Sequence, residues 1–174
     1  FPARLKDCGA HAFDELSYPG DSIKQEYKED ILVGYRWHDT KKIPALFPFG
    51  HGLSYTTFTY GKPVASAKVM AADGTLTLTV AVKNTGSVAG KEIVQLYIGD
   101  DKCSVLRPVK ELKHFAKVAL APGEEKNVTF TLTPDDLKFY DEASAAWKYE
   151  PGKFKAYVCA SSADVRGVVP FEMQ

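Results

Sequence analysis

The feature that most constrains this fold is the strict alternation of apolar with polar or small residues between Thr75 and Val82. Successive side chains of an extended strand point to opposite faces, so this alternation predicts a strand that buries one face. The same period of two recurs at 94–98, 128–132 and 154–160. The inward positions of these four runs predict the following core residues: Leu78, Val80, Leu96, Phe130 and Val158.

Turn-forming residues separate these runs, with glycine or proline in each turn. The turns are Asn84-Thr85-Gly86, Ala121-Pro122-Gly123 and Pro151-Gly152. Weaker strand-like runs occupy the intervals at 64–70, 109–120, 145–149 and 166–173. About seven strands in roughly 110 residues are typical of an antiparallel, immunoglobulin-like β-sandwich. A capping hydroxyl, a first-turn proline and two acids at 133–136 predict one short helical turn that ends near residue 140.

Residues 1–60 follow a different pattern, rich in glycine, proline and aromatic residues and without sustained strand or helix periodicity. Only Ile31–Val33 predicts a strand there, and Pro44 and Pro48 interrupt any regular element that follows. The stretch nevertheless contains many large apolar side chains: Tyr35, Trp37, Phe47, Phe49, Leu53, Tyr55 and Phe58. So much apolar surface predicts an irregular extension that lies against a large partner surface.

Charge and length exclude several classes of function. The chain has 22 basic and 22 acidic residues, so no net charge attracts nucleic acid or anionic lipid, and a neutral partner is favoured. No apolar run is long enough to span a membrane, and residues 1–5 lack the layout of a signal peptide. We expect a soluble chain with no nucleic-acid or membrane partner. The compartment stays open, secretion and the periplasm included, and so does use of the glycosylation sequon at Asn127.

The sequence contains no convincing catalytic centre. Retaining glycoside hydrolysis needs two carboxyl groups facing one another about 5 Å apart. The acidic pairs here are sequence neighbours, which point to opposite faces of an extended segment: Glu29-Asp30, Asp100-Asp101, Glu124-Glu125 and Asp135-Asp136. Ser54 lacks the glycine pattern of a nucleophile elbow, and the four histidines lack metal-ligand spacing. We predict no catalytic residue, no metal and no cofactor, and three cysteines leave at least one thiol free.

The most informative cluster is Gly34–Asp39, where Arg36 is surrounded by aromatic residues. A guanidinium in this setting either stacks on the rings, pairs with Asp39 or lines a sugar site, and structural packing is the favoured interpretation. The stretch Arg107–Leu112 also alternates charged with apolar residues, a pattern that predicts an exposed strand.

Two long strings, at 27–39 and 46–58, closely resemble the C-terminal region of glycoside hydrolase family 3 β-glucosidases. The resemblance continues through Lys83–Gly86, Gly90–Ile98, Arg107–Leu112 and Leu137–Asp141, which are similar to the fibronectin-III-like domain of that family. Together the matches span nearly the whole chain. One departure is His38, where an aromatic residue is usual in the family.

The resemblance implies a division into residues 1–62, the tail of a preceding α/β sandwich domain with its linker, and residues 63–174, a fibronectin-III-like domain. It implies a parent enzyme that also contains an N-terminal barrel and hydrolyses terminal, non-reducing β-D-glucosyl residues with retention. The nucleophilic Asp and the acid/base Glu of the family lie upstream of the matched strings, so no catalytic residue is assigned. The partners are then the barrel and α/β sandwich domains, which the aromatic residues of 1–60 contact, and the β-glucoside bound by the parent. The residues proposed to lie near this substrate are Tyr35, Arg36, Trp37 and Asp39.

Two other interpretations stay open. The chain is alternatively a free-standing sandwich that binds carbohydrate or protein, which a row of aromatic side chains on one sheet face would favour. Tyr97, Tyr149 and Tyr157 fall on separate predicted strands, and the sequence does not show whether they align. A complete small esterase or protease has almost no residue support.

Overall fold

The computed structural model describes residues 1–174. It contains one short α-helix, α1 (Tyr35–Lys41). Eleven strands follow: β1 (Phe58–Tyr60), β2 (Val64–Ala65), β3 (Val69–Met70), β4 (Leu76–Asn84), β5 (Gly90–Asp100), β6 (Glu111–Leu120), β7 (Glu125–Leu132), β8 (Phe139–Asp141), β9 (Ala146–Lys148), β10 (Gly152–Cys159) and β11 (Val165–Met173). Single 3₁₀ turns span Leu5–Asp7, Gly9–His11 and Pro134–Leu137.

Strand β4 is the centre of the first sheet because it pairs with three other strands. Strand β7 runs antiparallel along one side, with Leu78 opposite Phe130 and Val80 opposite Val128. Strands β1 and β2 share the other side. The four apolar inward residues of β4 are at most 1% exposed, so the alternation in the sequence corresponds to one buried face.

The second sheet has five strands in the order β3-β11-β10-β5-β6, antiparallel except for the short parallel edge strand β3. Val158 of β10 lies opposite Leu96 of β5. The register of β5 against β6 shifts between Leu96 and Tyr97. A two-stranded hairpin of β8 and β9 stands apart from both sheets.

The two sheets enclose one hydrophobic core that contains all five predicted core residues. Its 18 buried members are Met70, Leu76, Leu78, Val80, Val82, Val94, Leu96, Ile98, Leu120, Val128, Phe130, Leu132, Leu137, Phe154, Ala156, Val158, Phe171 and Met173. They come from both sheets and from the turn before β8, so neither sheet buries its apolar face without the other.

The predicted all-β sandwich is confirmed, and each of the four strongly patterned runs lies within or overlaps β4, β5, β7 or β10. The weaker runs contain β2, β3, β6 and β9 and all of β11 except Val165. The predicted short turn is a 3₁₀ turn that ends at Leu137, where the Asp136 carboxylate accepts from the Thr133 backbone N–H at 2.8 Å. No helix has both the length and the apolar character needed to cross a membrane.

The N-terminal segment differs from its prediction in two places. Ile31–Val33 is not a strand, since Ile31 belongs to a turn in which Asp30 has a positive φ of 56°. Helix α1 forms where the sequence shows no helical periodicity, between Gly34 at φ 62° and Lys42 in the left-handed region. Seven residues are too few for a hydrophobic period to be recognised, so packing decides this helix.

Part of this segment forms a third layer on the outer face of the five-stranded sheet. Gln95 and Tyr97 point away from the core, yet they are only 3% and 0% exposed. The ring of Tyr35 covers Tyr97, with ring centroids 5.6 Å apart. At Gly50, φ is +81° and a Cβ would lie 2.2 Å from the Gln95 side-chain nitrogen. The sandwich itself therefore provides part of the surface for residues 1–60 that the sequence prediction assigned to other domains.

We predict that Phe130→Ala destabilises the chain by about 3–5 kcal/mol, because Phe130 is a large buried member of the core and its removal leaves a cavity. Chemical denaturation of both proteins measures the difference. The matched control is Phe115→Ala, since Phe115 is 70% exposed on β6 and its loss should change stability by less than about 0.5 kcal/mol. Equal destabilisation by the two substitutions would contradict the assigned faces.

Candidate functional site

Helix α1 places Tyr35 against the outer face of the second sheet. The Tyr35 hydroxyl accepts a hydrogen bond from the Leu112 backbone N–H at 2.8 Å. The Tyr35 ring meets Tyr97 edge-on and lies 5.2 Å from the ring of Phe49. The contacts of Tyr35 with Tyr97 and with the Leu112 backbone tie the helix to β5 and β6, and Phe49 packs on Tyr35 from the solvent side.

Asp39, one turn further along α1, holds the segment before β6. Its carboxylate accepts from the Lys110 ammonium at 2.6 Å, and both side chains are largely buried. The Lys110 ammonium also lies 5.5 Å from the centre of the Tyr97 ring. The neighbouring Thr40 hydroxyl accepts from the Val109 backbone N–H. Removing both charges from water is costly, and the short contact offsets part of that cost.

Trp37 faces the other way and holds the first residues of the chain. It is 6% exposed, and its indole N–H donates to the Asp7 carbonyl at 3.1 Å. A Cβ at Gly9 would approach the indole to 3.3 Å, so glycine permits close packing there. Phe13 covers another side of the indole at a centroid distance of 5.6 Å.

Arg36 joins a charged cluster around Arg107, at 3.6 Å from Glu111 and with its side chain 39% exposed. Arg107 is only 7% exposed and contacts Glu111 at 2.8 Å, Asp100 at 3.5 Å and the Leu137 carbonyl at 3.0 Å. Burial alone would raise the pKa of Glu111, but the Arg107 hydrogen bond and the nearby positive charges hold it below its ordinary value. Burial raises the pKa of Asp100. The expectation of an exposed strand at 107–112 is therefore wrong, because residues 107–110 precede β6 and the Arg107 and Lys110 side chains are buried in ion pairs.

A groove of about 840 Å³ opens between α1, residues 43–49 and the loop after β10. Tyr35, Trp37 and Asp39 line it, whereas Arg36 does not. Three largely exposed phenylalanines also line it: Phe1, Phe47 and Phe49. The structure thus brings three of the four proposed site residues to one groove and directs Arg36 to Glu111.

This groove cannot cleave a glycoside by the two-carboxylate mechanism, because Asp39 supplies its one carboxyl group and pairs with Lys110. Members of the acidic pairs have other roles: Asp136 caps the 3₁₀ turn, Glu124 accepts from the Ala121 backbone N–H, and Asp101 pairs with Lys155. No group of three or more His, Cys, Asp or Glu side chains is placed to hold a metal ion.

Sequence reasoning missed the buried residues beneath α1 and the adjoining loops that support this groove, namely Gln95, Tyr97, Lys110 and Cys159. Gln95 and Cys159 lie directly opposite on β5 and β10 and share the outer face. The Gln95 amide accepts from the Tyr97 hydroxyl at 2.5 Å and donates to the Ala160 carbonyl at 3.0 Å. A usable signal was present, since Val94–Gly99 contains no charge and does not alternate as β4 does. Strands buried on both faces show such runs.

Comparisons with known proteins agree with this geometry. A family model described as a fibronectin type III-like domain matches residues 92–162. The β-glucosidase BoGH3A of Bacteroides ovatus is 66% identical over 99% of this chain and 23% of its own length. Thermostable β-glucosidase B of Acetivibrio thermocellus is 48% identical over 95% of this chain and 21% of its own length. The chain therefore spans less than a quarter of these relatives.

Solved structures show the same correspondence. The structure of DesR, a β-glucosidase from Streptomyces venezuelae in complex with D-glucose, superposes with a TM-score of 0.90 and 40% identity. The match covers 100% of this chain and 22% of that one. A Bifidobacterium adolescentis GH3 β-glucosidase matches 99% of this chain with a TM-score of 0.89 and 34% identity. Residues 1–60 are included in both matches, so their arrangement on the sandwich is shared.

We predict that Lys110→Ala destabilises the chain by roughly 2–3 kcal/mol, less than a fully buried pair would lose, because the Asp39 side chain stays 14% exposed. Asp39→Ala should have a similar effect. The double variant should lose less free energy of unfolding than the two single variants lose together. A double-mutant cycle measured by denaturant unfolding gives this difference. Lys155→Ala is the control, because Lys155 and Asp101 form an exposed pair worth less than about 1 kcal/mol. Additive losses at Asp39 and Lys110 would contradict the coupling.

We predict that Cys159 resists alkylation while the chain is folded, because burial raises the pKa of its thiol to about 12 and closes access to it. Cys8 and Cys103 are partly exposed. A thiol-specific reagent at about pH 8 should modify these two in the native chain and the third only after denaturation. Rapid labelling of all three native thiols would show that the outer face is open to solvent.

Proposed function

Since this chain corresponds to the C-terminal region of glycoside hydrolase family 3 β-glucosidases, we propose that it is the non-catalytic part of such an enzyme. The parent enzyme hydrolyses terminal, non-reducing β-D-glucosyl residues with retention. The observation that carries the proposal is the groove at α1, which is built for packing and contains a single, paired carboxylate. The chemistry then belongs to other domains of the parent, and this chain stabilises them.

The distribution of exposed apolar side chains supports a docking role for residues 1–62. Thirteen of the 25 exposed large hydrophobic side chains lie within residues 1–55, although this is under a third of the chain. Tyr55 and Leu53 are essentially fully exposed, at 102% and 95%. Surface of this kind marks an interaction site. We assign it to the barrel and α/β sandwich domains of the parent, with residues 63–174 as the fibronectin-III-like domain behind it.

The assignment of Tyr35, Arg36, Trp37 and Asp39 near the β-glucoside stays a prediction. Trp37 is buried against Asp7, and Asp39 is occupied by Lys110. Of the four, Tyr35, Arg36 and Asp39 are partly exposed, and of these only Tyr35 and Arg36 lack a buried ion pair. Any direct approach to substrate therefore falls to these two, whereas Trp37 and Asp39 fix the position of α1.

The alternative, a free-standing binding module, has less support from the sheet faces. Tyr97 and Tyr157 do lie directly opposite each other on β5 and β10. Tyr97 is wholly buried beneath Tyr35, however, and Tyr149 packs against the core. These three tyrosines therefore form no exposed aromatic row for a ligand.

A chimera tests the proposal. We replace the matching 23% of the Bacteroides ovatus β-glucosidase with this chain and measure hydrolysis of an aryl β-glucoside. The chimera should fold and be active, because 66% identity preserves most contacts across the junction. The 174-residue chain alone should release no aryl group, since it lacks opposed carboxylates.

The docking surface is tested in the same chimera with Leu53→Ser and Tyr55→Ser, which remove its two most exposed side chains. Both should lower the thermal midpoint and the activity of the chimera without changing the stability of the isolated chain. Val168→Ser is the control, since Val168 is 45% exposed on β11, outside this surface.

Steady hydrolysis by the isolated chain, or an inactive but folded chimera, would overturn the proposed function.

A further inference from the structure

The hairpin of β8 and β9 presents two aromatic side chains that the proposed docking surface does not include. Tyr140 and Trp147 lie directly opposite each other on the two strands. Their rings meet edge to face with centroids 5.7 Å apart, and the residues are 50% and 66% exposed. The other tryptophan, Trp37, is buried and donates to a carbonyl, whereas the Trp147 indole is open to solvent.

The structure beneath the hairpin holds this pair in place. Phe139 is buried, with Arg107 on one side at 5.7 Å and Lys148 at 5.6 Å from its ring centre. The Asp141 carboxylate accepts from the Ser144 backbone N–H at 3.1 Å and pairs with Lys148 at 3.1 Å. Hydrogen bonds from Ser144, with those from Lys148, hold the pKa of Asp141 below its ordinary value. The hairpin that carries the aromatic pair is therefore fixed by packing, hydrogen bonds and an ion pair.

The exposed area and the charge of the Tyr140–Trp147 surface indicate which class of ligand it can bind. Two aromatic side chains present at most about 300–500 Å², well short of the roughly 800 Å² per partner in a stable protein interface. Lys148 neutralises Asp141, and Glu142 in the turn between the strands is left as a single exposed carboxylate, so the surface repels a polyanion and attracts a cation only weakly. A small neutral ligand with a flat apolar face and hydroxyl groups at its edge fits both the limited area and the weak charge of this surface. A pyranose ring has this shape, and Tyr and Trp both carry a polar group at the ring edge.

We propose that Tyr140 and Trp147 form a binding surface for a β-linked gluco-oligosaccharide. The sugar ring stacks on the exposed indole, and the Tyr140 hydroxyl and the indole N–H are available to its hydroxyl groups. The choice of a β-linked glucose chain rests on the proposed function, whereas the fit to a neutral pyranose does not. The surface would hold a polymeric substrate on the enzyme away from the reacting end.

Tryptophan fluorescence of the 174-residue chain tests this directly, because Trp147 is the exposed member of two tryptophans. Cellohexaose and laminarihexaose are the probes, with maltohexaose as the α-linked comparison. At least one β-linked probe should shift the emission saturably. Trp147→Phe should abolish the optical change, so mobility in a gel containing soluble β-glucan measures binding by the variants. Trp147→Ala should weaken that binding about tenfold or more, and Tyr140→Ala should weaken it less.

Phe115→Ala is the matched control, since it removes an equally exposed aromatic ring from a different strand and should leave the affinity unchanged. Circular dichroism establishes that each variant is folded. No saturable shift, equal binding by maltohexaose, retained binding by folded Trp147→Ala, or Trp147-dependent dimerisation would each overturn the proposal. Its failure is separable from that of the proposed function, because this titration involves no hydrolysis and no chimera.

Discussion

The one-sided burial of β4 is the constraint on which the remaining structure depends. Its inward residues are apolar and its outward residues are polar or small, so the strand needs a second layer on one face. The five-stranded sheet supplies that layer, and 18 side chains from both sheets and one turn close the core. At about 25 cal/mol per Å² of apolar surface, this burial is the dominant favourable contribution to folding.

The five-stranded sheet is covered on both faces, because its core face and also part of its outer face are buried. Tyr97 and Gln95 on that face form a polar chain that ends at the Ala160 carbonyl, and α1 covers it through Tyr35 and Asp39. Polar groups buried in this way specify one arrangement of the layer, since a displaced helix would leave them unpaired. Part of the N-terminal segment is thus fixed on the sandwich, while many of its other apolar residues stay exposed.

Arg107 connects this layer to the rest of the molecule. Its guanidinium contacts Asp100, Glu111 and the turn at Leu137, and it supports Phe139 in the hairpin. Glu111 also approaches Arg36 of α1. One buried cation therefore contacts both Glu111, which approaches α1, and the hairpin proposed to bind sugar. Such a residue cannot be recognised from the alternating pattern around it, which is equally typical of an exposed strand.

The sequence by itself determined the sandwich, its main strands and its core residues, because side chains alternate with a period of two wherever one face is buried. It also determined the resemblance to the β-glucosidase family through two long strings. Only the tertiary structure decided α1, the ion pair of Asp39 with Lys110 and the inward position of Arg107. Each depends on residues up to 71 positions apart, such as Asp39 and Lys110, which local periodicity does not relate. The physical reason is that a seven-residue helix and a buried charge are stabilised by contacts with distant strands and not by local propensity.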